Sequence, residues 1–297
     1  MASRGPLRSF FAHRRAAALH AQGLALSEDG DGDGALRLYE RALMLHPDRA
    51  QTLYNVGLIH KYRRNWLKSF AYNHEAFERQ PDDEATRWNL AIAATALGDW
   101  ATARRVWRLC GYDVGEGEGP IEADFGLACV RLNPDDAAEV VWVTRIDPVR
   151  GRIDNIPFPD SGFFHGDIVL HDGAANGRKQ WDETEYPIFD AFERVARSPY
   201  SVAAVEFTSP SDADVQVLRE AFAAADMYAE DWTANVAPVC KACSEGTTHA
   251  FHDTDLALWQ PDRSLGVALV DEARLEDVLA RWADGPGRAI ASVTLTS

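Results

Sequence analysis

The sequence has little of what marks several common protein classes. Its 297 residues contain no uninterrupted apolar run of roughly 18 residues, which excludes an ordinary transmembrane helix. Four cysteines are too few for a disulfide scaffold in a chain of this length. Nucleophile-elbow, phosphate-loop, dinucleotide and kinase motifs are also missing. The sequence therefore carries none of the motifs that identify the most easily recognised enzyme classes.

Basic residues are scarce relative to acidic ones, and the imbalance is local. The chain carries 30 Lys and Arg against 46 Asp and Glu, a net charge of −16. Residues 111–297 hold 34 acidic and only 14 basic residues, so we expect a domain boundary near residue 110. This balance argues against a nucleic-acid or anionic-membrane binder. The Arg-rich lead-in, residues 1–15, has no apolar core like that of a secretory signal, so we expect a cytoplasmic protein.

Five columns of residues recur at a step of 34 positions, which predicts an internal repeat. The columns are Gly23, Gly57 and Ala91; Ala35, Ser69 and Ala103; Tyr39, Asn73 and Trp107; Ala42, Ala76 and Cys110; and Pro47 with Pro81. The small residues suit places where two helices approach closely, and the prolines suit helix ends.

In these columns the chain resembles the tetratricopeptide-repeat family over residues 16–113. The resemblance implies three helix hairpins stacked into a short α-solenoid with a concave groove that holds a protein or peptide partner. The first helices of the hairpins would supply the groove residues Tyr54, Asn55, Lys61, Trp88 and Asn89. A solenoid that is only a spacer, or whose groove the chain itself fills, is the alternative.

A second pattern overlaps the first repeat. Asp29, Asp31, Asp33 and Glu40 have the spacing of a calcium-binding loop. Such a loop would need non-helical backbone where the repeat requires a helix from about Asp33 onward. The repeat pattern extends over three units and is therefore favoured, with the aspartates as an acidic helix start. Calcium binding remains the alternative.

Residues 121–190 change to short β-branched and aromatic runs separated by Pro and Gly. This pattern predicts a small antiparallel β-barrel or sheet domain. His165, Asp167 and His171 have the same parity in an extended chain and could hold a metal from one side of a strand. The favoured interpretation is that these residues simply mark strand ends and turns.

Residues 198–297 read as strand, helix, strand, insert, strand, helix, strand. This order resembles a ferredoxin-like βαββαβ domain. The insert, residues 238–256, holds Cys240, Cys243, His249 and His252, a set suited to a structural Zn²⁺. An unrelated surface loop and a redox dithiol are the alternatives.

The sequence as a whole therefore predicts an intracellular, bacterial-style adaptor of α-solenoid plus α+β type with a structural zinc. Its acidity suggests an immunity-like role, the capture of a basic partner protein. A zinc-dependent hydrolase, with an open metal position, is the alternative from another class. Calcium binding through residues 29–40 is a further alternative.

Overall fold

A computed structural model describes residues 6–235 and 259–297. The chain divides into two compact units, Met1–Ala123 and Asp124–Ser297. We call them the helical unit and the β unit. Each unit has its own buried core and is described by itself.

The helical unit consists of helices that pair in sequence order, α1 with α2, α3 with α4 and α5 with α6. The helices are α1 (Pro6–Glu28), α2 (Gly32–Leu45), α3 (Ala50–Tyr62), α4 (Trp66–Arg79), α5 (Glu84–Leu97) and α6 (Trp100–Leu109). The three hairpins follow the predicted step of 34 residues. The first helix begins before residue 16, so the predicted basic lead-in is partly helical.

The second helix of every hairpin begins at a side-chain cap. The carboxylate or amide oxygen of Asp31, Asn65 and Asp99 accepts a hydrogen bond from the backbone N–H three residues further on, at 2.8, 3.3 and 3.1 Å. Such a bond satisfies one of the free amides in the first helical turn. The three caps are 34 residues apart and form a sixth column of the repeat, which the sequence analysis missed.

Small residues let the two helices of a hairpin come together. The Ser69 hydroxyl donates to the carbonyl of Gly57 at 3.0 Å, and the Asn73 amide donates to the carbonyl of Ser69 at 2.8 Å. A Cβ at Gly57 would lie only 2.5 Å from the Asn73 amide nitrogen. The column residues therefore control how closely the helices pack, as the 34-residue step predicts.

The Gly-rich segment after α6 is packed onto the last repeat. The Arg104 guanidinium donates to the carbonyls of Val114, Gly119 and Pro120 at 2.5, 3.1 and 3.0 Å. Val114 and Ile121 are buried. This segment closes the end of the helical core within the unit.

The β unit begins with a closed five-stranded barrel in the order β1-β2-β3-β4-β5. Its strands are β1 (Leu127–Leu132), β2 (Glu139–Arg145), β3 (Arg150–Ile153), β4 (Ile168–Trp181) and β5 (Thr184–Ala196). Neighbours in sequence pair antiparallel, but β1 and β5 pair parallel. An odd number of consecutive antiparallel strands brings the first and last into the same direction, so the expected purely antiparallel arrangement cannot close. The last strand also extends beyond residue 190, the predicted end of this region.

A four-stranded antiparallel sheet follows, in the order β7-β8-β6-β9. Its elements are β6 (Ser201–Thr208), α7 (Asp212–Ala224), β7 (Tyr228–Asp231), α8 (Trp232–Asn235), β8 (Asp262–Leu269), α9 (Ala273–Ala283) and β9 (Ala289–Thr296). Helices α7 and α9 pack on one face around Phe207, Phe222 and Trp282. The second strand of the predicted order is the short β7, and the residues that directly follow it, 232–235, are helical.

Trp232, the first residue of α8, contacts two other segments of the β unit. Its ring covers the backbone of Gly266 in β8, and its indole N–H donates to the carbonyl of Ile156 at 3.0 Å. The side chain thereby ties the sheet to the segment after β3. Among the described residues, none of the helices has both the length and the hydropathy that crossing a membrane requires.

Candidate protein-binding surface and other candidate sites

The five residues predicted to line the repeat groove differ in accessibility. Tyr54 and Asn55 are half-buried, and the Asn55 amide donates to the Tyr39 hydroxyl at 3.3 Å. Lys61 is only 3% exposed, with its ammonium 4.3 Å from the centre of the Tyr62 ring. Of the three predicted groove residues on this helix, Tyr54 and Asn55 thus stay partly accessible and Lys61 is buried.

The other two predicted groove residues lie on the first helix of the third hairpin, where Trp88 is half-buried and Asn89 is buried. Trp88 makes edge contacts with Trp107 and Tyr112, with ring centres 4.9 and 5.6 Å apart. Asn89 is 4% exposed. Asn89 therefore belongs to the packed interior, whereas Trp88 packs on its neighbours and stays partly accessible.

A shallow, open cleft of about 450 Å³ lies at the turn between α3 and α4. Arg63, Arg64, Asn65, Trp66, Leu67 and Leu97 line it. Leu67 is 72% exposed and Leu97 38%. A cleft with two exposed leucines on a repeat protein is a candidate surface for a partner.

The cleft is also positively charged. Arg63 pairs with Asp33 at 2.8 Å, whereas Arg64 makes no ion pair within the described parts of the chain. The backbone of Arg64 has a φ of 55°, which turns the chain sharply between the two helices. The Arg-Arg-Asn sequence between two helices, followed by a Leu outside the small-residue columns, is the signal that could have identified this surface.

The four predicted calcium ligands are not gathered around one point. Asp31 caps α2, and Asp33 and Glu40 lie inside that helix. Across residues 6–235 and 259–297, no group of three or more His, Cys, Asp or Glu side chains is arranged to hold a metal ion. The aspartates form the acidic helix start that the repeat pattern favoured.

His165, Asp167 and His171 are likewise not brought together. The Asp167 carboxylate is buried and accepts hydrogen bonds from the amides of Phe164 and Ser198 at 3.0 and 2.7 Å, and it forms an ion pair with Arg194 at 3.1 Å. It therefore fixes the turn before β4. Its oxygens are already occupied by these donors.

The two histidines occupy different environments. His165 is half-buried, and its Nδ1 lies 3.1 Å from the carbonyl of Asp154. His171 is fully buried against Phe189, with ring centres 4.6 Å apart, and its Nδ1 lies 2.7 Å from the carbonyl of Asp172. Burial lowers the pKa of His171 to about 4, so this ring is neutral near pH 7.

Two carboxylates that the sequence analysis did not single out lie where the barrel meets the sheet. Glu139 accepts from the backbone N–H of Phe158 at 3.2 Å, and Glu230 accepts from the N–H of Ile156 at 2.7 Å. Burial raises the pKa of Glu139 to about 7, with a smaller contribution from the charge of Glu230. Glu139 therefore changes protonation near neutral pH.

The predicted zinc ligands Cys240, Cys243, His249 and His252 lie outside the described residues, so Zn²⁺ stays a prediction. The two described cysteines are Cys110 and Cys129, and both are free thiols. Burial raises the pKa of each to about 11. A thiol that is protonated at neutral pH is a poor nucleophile and metal ligand.

Comparisons with known proteins support a repeat region. No protein-family model matches the chain. The chain is 38% identical over 74 residues to the Photosystem I assembly protein Ycf3 of Acaryochloris marina (strain MBIC 11017). The match covers 25% of this chain and 44% of Ycf3, so less than half of that relative's length is represented.

Two solved structures share weaker similarity. One is a mutant O-GlcNAc transferase of Thermobaculum terrenum, 20% identical, with a TM-score of 0.31, covering 37% of this chain and 20% of that one. The other is a hypothetical protein from Neisseria gonorrhoeae, 11% identical, with a TM-score of 0.28, covering 59% and 98%. The three hairpins in a 34-residue step and the similarity to Ycf3 together support a repeat region of the tetratricopeptide type in this chain.

Proposed function

We propose that the protein is a protein-binding adaptor whose helical unit receives a segment of a partner. The observation that carries the proposal is the accessible cleft at the α3–α4 turn, which presents Leu67 and Leu97 beside Arg64. Apolar surface supplies the contact area, and the Arg64 guanidinium, which has no ion pair within the described parts of the chain, favours a carboxylate in the partner. The partner segment therefore places an acidic residue next to one of leucine size.

The β unit supplies a second surface in this proposal. In its sheet, the first and third strands along the chain, β6 and β8, lie in the centre. Helices α7 and α9 pack on one face of this sheet. This arrangement supports a ferredoxin-like assignment. The excess of acidic residues in 111–297 supports a basic second partner, as in an immunity-like protein. A zinc ion held by the predicted loop, residues 238–256, would stabilise the β unit and act as a structural staple.

A binding comparison between matched variants tests the cleft. Leu67→Ser and Arg64→Glu each change an exposed side chain of the cleft, whereas Met44→Ser changes a residue of equal exposure (74%) on α2 as the control. Affinity capture with chemical crosslinking, from the cells that produce the protein, should recover a partner with the wild type and the control. Recovery should fall with both cleft variants.

Two results would count against the proposal. A partner recovered equally by all four proteins binds elsewhere, and loss with Tyr54→Ala alone would return the site to the predicted groove. Circular dichroism checks that each variant is folded. For the zinc staple, metal analysis of the purified protein should find one zinc per chain, lost together with stability in Cys240→Ser; protein that is folded without metal would refute it.

A further inference from the structure

The two edge strands of the β-unit sheet are protected to different degrees. Strand β7 has four residues, and two of them, Glu230 and Asp231, are carboxylates engaged by Ile156 and Arg263. Strand β9 has eight residues (Ala-Ile-Ala-Ser-Val-Thr-Leu-Thr) without a charge, a proline or a glycine. Short length and charge are what normally keep a sheet edge from pairing with another strand. Edge β9 has neither protection.

The side chains of β9 are exposed although the strand belongs to a packed sheet. Val293 and Leu295 stand opposite Val205 and Ala203 in β6, which are fully buried beneath the helices. Yet Val293 is 43% and Leu295 40% exposed. Helices α7 and α9 thus do not fully cover the outer strand, and Val293 and Leu295 form an open apolar strip beside them.

A bulge limits the part of β9 that can pair. The register with β6 shifts between Glu206 and Phe207, so regular pairing covers Ser292 to Thr296. Beyond β9 no further strand of the described chain pairs with it. This edge therefore presents a five-residue stretch, in which alternate residues direct their backbone groups outward, and two exposed apolar side chains.

We propose that this edge pairs with the same edge of a second copy of the chain. Two β9 strands related by a twofold axis run antiparallel, and an axis at Thr294 places Val293 of each copy opposite Leu295 of the other. Directly opposite residues share a face, so both apolar pairs extend the open strip on the helix-covered side. One surface therefore serves as both halves of the contact, as twofold association requires.

Self-complementarity favours the second copy as occupant, because each exposed apolar side chain of the edge meets an apolar one of the other copy, and charge does not oppose it. Two chains of −16 each would repel if acidic edges were apposed, but a neutral strand puts no like charges opposite one another. More distant charges are screened beyond about 8 Å at physiological salt. The regular edge is short, and its contact is smaller than a standard interface of about 1,600 Å², so the dimer is weak and concentration-dependent.

Sedimentation measurements on the full chain between about 1 and 500 µM cover the range of a weak complex. The wild type should convert from monomer to dimer, and Thr294→Lys should weaken the dimer about fivefold, because it sets two ammonium groups opposite each other. The control Thr184→Lys, at an exposed position of β5, should leave the dimer unchanged. An equal mixture of Thr294→Lys and Thr294→Glu should associate more tightly than either variant alone.

A crosslink tests the register. At the twofold axis the two Cα atoms of Thr294→Cys would be about 4.5 to 5.5 Å apart, within reach of a disulfide. Mild oxidation should yield a covalent dimer that neither the wild type nor Thr184→Cys gives. A chain that stays monomeric throughout, or a dimer indifferent to the Lys and Glu variants and not crosslinked, overturns the proposal. A monomer whose β9 edge instead binds a foreign strand, lost in Thr294→Lys, overturns it as well.

Discussion

The helical unit and the β unit build their cores in different ways. In the helical unit each structural position is occupied three times, so Gly23, Gly57 and Ala91 play one part in three hairpins. In the β unit each contact is made once. Arg131 of β1, for example, pairs at 2.7 Å with Asp190, which lies 59 positions further along the chain.

This difference decides how each unit responds to change. A repeated position reveals what is required there, because whatever differs among its three occupants is tolerated. A contact made once carries no such internal comparison. The effect of a substitution in the helical unit can therefore be judged from the residues at the same position of the other two hairpins. In the β unit it has to be judged from the atoms that the side chain contacts.

The largest expected effect is at Trp107, the third member of the column that begins with Tyr39 and Asn73. Its side chain is fully buried, contacts Trp88 and Tyr112, and donates its indole N–H to the Thr95 hydroxyl at 3.2 Å. Trp107→Ala should destabilise the helical unit by about 3–5 kcal/mol. Urea unfolding followed by circular dichroism at 222 nm measures the loss.

The matched control is Trp181→Ala in the β unit. Trp181 is 57% exposed, so its truncation should cost less than about 1 kcal/mol. If Trp107→Ala were as mild as Trp181→Ala, the column would not support the hairpin. The contrast between repeated and single contacts would then fail.

The next effect is an acid sensitivity located in the β unit. His171 is neutral in the folded barrel, with a pKa lowered to about 4 by burial, but takes a proton near pH 6.5 when unfolded. The contribution of the neutral ring to the free energy of unfolding is fully present above pH 6.5 and is lost as the pH falls toward 4. The loss should reach about 3 kcal/mol. The free energy of unfolding should differ less between pH 7 and pH 4.5 in His171→Leu than in His13→Gln, a control at an exposed histidine.

Glu139 should act in the opposite direction. Its folded pKa is raised to about 7, mainly by burial, so the folded state keeps a proton that the unfolded state releases above pH 4.5. Its favourable contribution is present below pH 4.5 and is lost as pH rises to 7. Glu139→Gln should therefore make the protein more stable at pH 7.5 and steepen the acid loss due to His171. An unchanged pH profile in this variant would contradict the assignment.

A smaller effect tests the repeat columns directly. A Cβ at Gly57 would meet the Asn73 side chain at 2.5–2.9 Å, so Gly57→Ala should destabilise by about 1–3 kcal/mol despite alanine's better helix propensity. The third hairpin holds Ala91 at this position, and Trp107 stands in the column of Asn73. Adding Asn73→Ala should relieve the clash, and a double-mutant cycle from urea unfolding should show a coupling above about 0.5 kcal/mol. Strict additivity would mean that the two positions do not share one space.

The sequence was most informative where it repeats. The step of 34 residues predicts all three hairpins, and the capping column Asp31, Asn65 and Asp99 was visible in the same register. It could not predict that Lys61 and Asn89 are buried, because accessibility depends on the neighbouring helices as well as on the position within one repeat. The cleft at Arg64 and Leu67 likewise depends on Leu97 from the next hairpin.

The β unit was predictable as strands and helices but less so as contacts. Helices α7 and α9 and the hairpin of β1 and β2 follow from periodicity and turn residues. The parity that grouped His165, Asp167 and His171 assumes one continuous strand, whereas β4 begins at Ile168. Glu139 and Glu230 come close to each other from distant segments of the chain, and no local sequence pattern predicts this proximity.

The smallest expected effect compares one helix cap from each unit, Asp31 of α2 and Ser211 of α7. Each accepts a hydrogen bond from the N–H three residues on, at 2.8 and 3.2 Å. Replacing either by Ala should cost about 1 kcal/mol, measured by urea unfolding. Asp31→Asn should be nearly neutral, because Asn65 performs the same role in the second hairpin.

The effect of added calcium distinguishes the capping role of Asp31 from a role as a calcium ligand. A cap needs only one oxygen acceptor, so Asp31→Asn should unfold like the wild type with and without millimolar calcium. A calcium ligand would instead make the wild type more stable in calcium than in chelator, and would weaken that difference in Asp31→Asn. Such a gain would show that the first hairpin has a role its two copies lack, and would end the equivalence of the three repeats.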